Sequence, residues 1–228
     1  MFDVKQKEHD MHLPNGSQIF VENTRDVEIA VTKITNAKNP VATVADGTKF
    51  KAGDYALVTF ASWAALTNRV VRIKSVATND LTIEGFDSSD TNKYPAGATA
   101  SIVKILTWVE IPCVQDLAQE GGEQQFYNYQ CLADDREQQL PTFKSAVSLT
   151  YTFAHEYDNP IYPVLSKAED SGEVKALRMF IPKAKEMRMY SGVLSFNDIP
   201  QTTMNEMETV SLAVALKGKF ESVPADVV

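Results

Sequence analysis

The chain has little cysteine, no long apolar run and a shortage of basic charge. Its 228 residues contain two cysteines, Cys113 and Cys131. Two thiols without accompanying histidine pairs make neither a disulfide scaffold nor a zinc site, so both are expected as buried or semi-buried packing residues. The longest uncharged apolar stretch, Tyr55 to Asn68, is interrupted by Thr59 and Ser62 and falls short of the roughly 20 residues that span a bilayer. No transmembrane helix is expected. Met1 leads into a mixed charged run reaching His12, without the basic-then-apolar order of a secretory signal, which predicts a chain made in the cytoplasm and left unprocessed. Lys and Arg number 22 against 30 Asp and Glu, a net charge of -8. The deficit is local. Between Ile105 and Ile161, Glu110, Asp116, Glu120, Glu123, Asp134, Asp135, Glu137, Glu156 and Asp158 face only Arg136 and Lys144, nine acids against two bases. A basic nucleic-acid-binding surface is thereby excluded, because neutralising phosphates needs clustered Lys and Arg.

What the chain does have is apolar content, 44%, enough for a substantial core in one large or two small domains. Its periodicity is mostly two. Val147, Leu149, Tyr151 and Phe153 alternate with Ser148, Thr150 and Thr152, the pattern of a strand buried on one face. Val210 to Leu216 alternates in the same way, and Val27, Ile29 and Val31 share one side of a segment running from Asp26 to Thr35. Further strands are expected at Gln18 to Glu22, Ile105 to Pro112, Gln124 to Leu132, Leu177 to Ile181 and Glu186 to Phe196, the last with Gly192 as a bulge or bend. One helix is expected. Asp158-Asn159-Pro160 starts it, Ile161, Val164, Leu165 and Ala168 form its apolar stripe, and Gly172 stops it. The fold class is therefore mainly β with a single short helix packed on a sheet.

Residues 39–104 differ in character. They carry their own turn punctuation, short strands at Tyr55 to Phe60, Arg69 to Val76 and Leu81 to Glu84, and nearly balanced charge. They are expected as a small β module inserted into a parent domain formed by 1–38 and 105–228.

Signatures of chemistry are sparse. Gly121-Gly122 lacks the Lys-Ser or Lys-Thr of a phosphate loop. The run His155 to Asn159 (HEYDN) has Asn where a zinc protease needs its second His, and it precedes the helix instead of lying on it. His9 and His12 have no carboxylate partners around them, and Ser195 lacks the glycine spacing of a nucleophile elbow. No catalytic, cofactor or metal site is assigned, and no cofactor is implied. The loop Asp134, Asp135, Arg136, Glu137, Gln138, Gln139 lacks the alternating ligands of a calcium loop. It carries both signs of charge, which suits contact between identical copies. Phe126, Tyr127 and Tyr129 have no interleaved bases, as a single-strand nucleic-acid platform would need.

From Asp116 to Phe220 the order of elements resembles the major tail protein, or tail tube protein, of long, flexible-tailed bacteriophages. The order runs through EQQFYNYQCL, a polar loop, SAVSLTYTF, HEYDNP, the helix IYPVLSKAEDSG, VKALRMFIP, EMRMYSGVLSFNDIP and METVSLAVALKGKF. The resemblance implies a β-sandwich fold whose sheets close across subunits into a barrel, as hexameric rings stacked into a tube. It implies as partners further copies of the chain, the tape measure protein inside the tube, and the tail tip initiator and tail terminator at its ends. DNA passes through without specific binding, and no membrane is involved. The place of the protein is then the virion tail. In the family a loop between strands reaches the adjacent ring, and the matching loop here is Ala133 to Pro141. Ser148, Thr150 and Thr152 are then expected to face a neutral-to-negative lumen.

Other readings of the residues remain. One is a monomeric adhesin or carbohydrate-binding module using Trp63 or Trp108 as a stacking platform. Another is the tube protein of a contractile tail or type VI secretion system, and a third is a hydrolase with paired carboxylates.

Overall fold

The computed structural model describes residues 14–225, so His9 and His12 lie outside the described residues. Strands β1 (Gln18–Arg25), β2 (Ile29–Ile34), β3 (Val41–Val44), β4 (Tyr55–Ala61), β5 (Val70–Ala77), β6 (Asp80–Glu84) and the long β7 (Ala100–Ile111) form the first half. Then come β8 (Val114–Glu120), β9 (Gln124–Tyr129), β10 (Gln138–Lys144), β11 (Ser148–Ala154) and the helix α1 (Ile161–Ser171). β12 (Val174–Ile181), β13 (Glu186–Gln201), β14 (Thr209–Leu216) and β15 (Glu221–Pro224) complete the order. The protein is mainly β, as the alternating sequence dictates. The helix buries Ile161, Leu165 and Ala168 and ends at Gly172, whose φ of 60° is the left-handed conformation that suits glycine.

β7 joins two bodies. Its first half pairs β2 on one side and β4 on the other, and its second half pairs β1. β1 and β2 follow one another along the same edge of β7, interrupted at Asp26 to Glu28. The order β2-β3-β6-β5-β4-β7, with β7 returning to β2, closes a six-stranded barrel. Its core holds Ile29, Val31, Ile34, Phe50, Trp63, Leu66, Ile73, Leu81, Phe86 and Ile102. β2, which the sequence reading placed with the flanking domain, thus packs into the barrel, because Ile29, Val31 and Ile34 all turn inward; Val27, expected on the same side, is exposed.

The second body is a curled sandwich, and β13 makes it. Residues 186–193 pair β12 on one edge, while the opposite edge carries β15 first and β14 from Gly192 onward. One strand therefore belongs to two sheets, β7-β1-β12-β13 and β13-β14-β11-β8. The register runs unbroken through Gly192, so no bulge lies there; the irregularity falls between Asn197 and Gln201. Gly192 is needed for another reason: a Cβ there would stand 2.5 Å from the Ala215 carbonyl oxygen. Between the sheets lie Ile19, Val21, Tyr151, Phe153, Leu177, Tyr190, Leu194, Phe196 and Leu212, with the buried face of α1.

A third apolar cluster, Leu57, Val70, Ile105, Ala176, Met189 and Val223, fixes barrel to sandwich. The ion pair between Arg69 of the barrel and Glu221 of β15 crosses the same junction, with both side chains mostly buried. The two cysteines correct the expectation of packing roles. Both are exposed, because Cys113 occupies the tight turn between β7 and β8, with a φ of 45°, and Cys131 follows the end of β9.

Candidate assembly surfaces

The sheet β13-β14-β11-β8 has two open ends. β8 is the last strand of the pairing path, so one edge of Val114–Glu120 carries backbone donors and acceptors with no strand beside them among the described residues. At the other end, the pairing of β13 with β12 ends at Val193, opposite Val174, and residues 194–201 of β13 have no strand partner on that side among the described residues. An exposed edge of this kind is a template for pairing with another chain.

The register assigns the faces of this sheet, since directly opposed residues share a face. Thr152 stands beside Ser211 and Asp116, Thr150 beside Ala213 and Ala118, and Ser148 beside Ala215 and Glu120. Ser195 and Asn197 extend the same rows across β13. Ser148, Thr150 and Thr152 therefore lie together on the face opposite the core, each half-buried. At these positions the face has two carboxylates, small side chains and no Lys or Arg.

β9 and β10 form a separate two-stranded sheet that leaves the sandwich beyond β8 and β11. Gly121 and Gly122 stand at the departure point with φ of 82° and 88°. A Cβ at Gly121 would meet the Ala146 carbonyl oxygen at 1.8 Å, so only glycine lets the two chains part there. The charged residues cluster at the tip. Asp134, Asp135, Arg136 and Glu137 occupy the connecting loop, and Gln138 and Gln139 begin β10. The Asp134 carboxylate accepts from Gln138 Nε2 at 3.3 Å, and Tyr129 donates its hydroxyl to Gln138 Oε1 at 2.7 Å. Gln139 pairs Asn128 across the hairpin. Gln138 thus braces the loop, while Asp135, Arg136, Glu137 and Gln139 are exposed.

The expected strand from Gln124 to Leu132 is β9, but its aromatics were given no role and β10 was not foreseen. Tyr127 pairs Leu140 on one face and Phe126 pairs Pro141 on the other, and Tyr127, Phe126, Leu140 and Phe143 are all exposed, Phe143 to 69%. The aromatics of QFYNYQC carry the signal; weighed only against nucleic-acid binding, they had no bases beside them and no assigned role.

The residues of the other readings are engaged in packing or local structure. Trp63 is 5% exposed and donates its indole N–H to the Pro95 carbonyl at 3.0 Å. Trp108 packs edge-on against Tyr55 and under the Arg178 guanidinium. In HEYDN, Asn159 Oδ1 accepts from the Ile161 N–H at 3.1 Å, and His155 stacks on Tyr162. Ser195 donates to Glu169 of α1 at 3.0 Å.

No curated protein sequence matches the chain. A family model described as phage tail tube protein, TTP, matches residues 61–225, which takes in β5, β6 and β7 of the barrel, both open edges and the hairpin. The match covers well over half of the sequence: the chain belongs to the phage tail tube protein family.

Proposed function

We propose that the chain builds the tail tube by closing side by side into hexameric rings, which stack around the tape measure protein and later conduct DNA to the host. The observation that carries this reading is the sheet β13-β14-β11-β8 with an unpaired edge at each end. If β8 of one copy adds to residues 194–201 of the next, the open edges vanish and every backbone group at the seam gains a partner. A heterologous contact of this kind closes into a ring when its rotation divides the circle.

In that arrangement the face carrying Ser148, Thr150 and Thr152 lines the channel. Two carboxylates per copy and no base would hold no phosphate, so a polyanion slides instead of binding. The inserted barrel, on the far side of the β7 junction, then decorates the tube wall. The role is structural, without catalysis, and the tail tip initiator and terminator bind the ends of the stack. The subunit is made in the host cytoplasm and ends in the virion tail.

Electron microscopy of purified protein, alone and with tail tip complexes, tests the reading. Hollow tubes of stacked rings are expected. Persistent monomers of 25.3 kDa in the presence of the initiator would reject it.

A further inference from the structure

Where the barrel meets the sandwich, a pocket of about 270 Å³ opens to solvent. Tyr55 and Arg72 line it from the barrel, Phe20, Arg178 and Phe180 from the sandwich, and Ala225 from the end of the described chain. Arg178 sets its character. The guanidinium lies over three rings, 4.7 Å from the centres of Phe20 and Trp108 and 5.1 Å from that of Tyr55. Its Nε is buried and has no hydrogen-bond partner among the described residues.

No acid of the described residues pairs with this cation. Burial lowers Arg178 below its ordinary value and the Tyr55 hydroxyl opposes the shift, with no carboxylate contributing, yet a guanidinium keeps its charge at any ordinary pH. Glu110 belongs to the same cross-strand row but lies beyond Phe20, where it accepts from Gln18 Nε2 at 3.3 Å. Glu84 is taken by Arg72, whose Nε and Nη2 each stand 2.7 Å from one of its oxygens. Aromatic faces offset part of the cost of desolvating a cation, but they leave Nε without an acceptor, and buried charges are otherwise found paired.

An acid is next in the sequence. The Ala225 N–H donates to the Lys185 carbonyl at 2.8 Å, which fixes the chain at the pocket wall. Asp226, Val227 and Val228 follow. One residue advances the chain by at most about 3.6 Å, so the Asp226 side chain has the pocket within reach.

We infer that this pocket is a carboxylate site whose ligand is Asp226 of the same chain, its side chain turned in against Arg178 and the valines after it covering the aromatic rim. Because the walls come from both bodies, the seated segment clips the barrel to the sandwich. The inference concerns the single subunit and goes beyond the tube reading, which stands or falls separately.

Carbodiimide coupling of unassembled subunits tests it. In Arg178→Lys the introduced amine should form an amide with Asp226, and mass spectrometry of subunits mixed from light-nitrogen and heavy-nitrogen chains should find the link within one chain. Links from position 178 to Glu110 or another acid, links joining two copies, or no link at 178 overturn the assignment. Urea unfolding of the full chain gives a second measurement. Asp226→Ala should lower the midpoint in the natural chain and leave that of Arg178→Met where it is. No shift in the natural chain, or the same shift in both backgrounds, contradicts the pairing.

Discussion

Arg69 and Glu221 show how a polar contact can hold two bodies together. Burial pushes the Glu221 carboxyl above the usual carboxylate range despite the neighbouring guanidinium, so the pair is expensive to desolvate and more expensive to break. Arg69→Ala should destabilise the protein by about 3–5 kcal/mol, measured by urea unfolding, because it strands a buried carboxylate. Arg69→Met with Glu221→Leu should recover most of that loss; a double variant as unstable as the single one would contradict the argument. A second buried pair sets an alkaline limit. The Tyr151 and Tyr190 hydroxyls bond to each other between the sheets, and burial raises both above their ordinary value, Tyr190 to about 12. Below pH 10 the phenols are neutral in both folded and unfolded chains. Between pH 10 and about 12 the unfolded chain ionises first, so stability falls with rising pH. Urea unfolding midpoints across this window should drop for the natural chain and drop less for Tyr151→Phe with Tyr190→Phe.

At the scale of the element, the glycines decide where strands go. Gly121→Val has no room beside the Ala146 carbonyl and should leave the sandwich folded, by circular dichroism, while misdirecting the hairpin and abolishing tubes. Excising residues 123–145 with a two-glycine bridge should likewise leave the subunit folded, by circular dichroism, since none of the core clusters draws on the hairpin. Strands with a buried face were legible from the sequence: Val210 to Leu216 and Leu149 to Phe153 alternate because one side packs and the other does not. α1 was legible through its stripe and Gly172. β8 and β10 were not, because an edge strand and a free hairpin bury neither face, and VQDLAQE has no alternation to read. Gly192 suggests a bulge or a bend in sequence; the register excludes the bulge, and the glycine marks the place where β13 changes partners, a fact that depends on Ala215 and is invisible locally. The acidic loop was legible through its charge, but its aromatic arm was not, because exposed aromatics look like core in a sequence. The polar row Ser148, Thr150 and Thr152 was legible as one face; its neighbours Asp116, Ser211 and Ser195 came only with the register.

For the whole molecule, the negative charge gains a location. Asp116 and Glu120 lie on the polar face of the open sheet, and Asp134, Asp135 and Glu137 on the arm. In the proposed tube the first pair would line the channel. The central claim is that the two open edges meet, and a cryo-EM map of the assembled protein tests it most directly. The account predicts a hollow tube in which β8 of each subunit pairs residues 194–201 of its neighbour, with Ser148, Thr150 and Thr152 facing a channel free of Lys and Arg. Subunits joined through their six-stranded barrels, or a channel lined with bases, would contradict it.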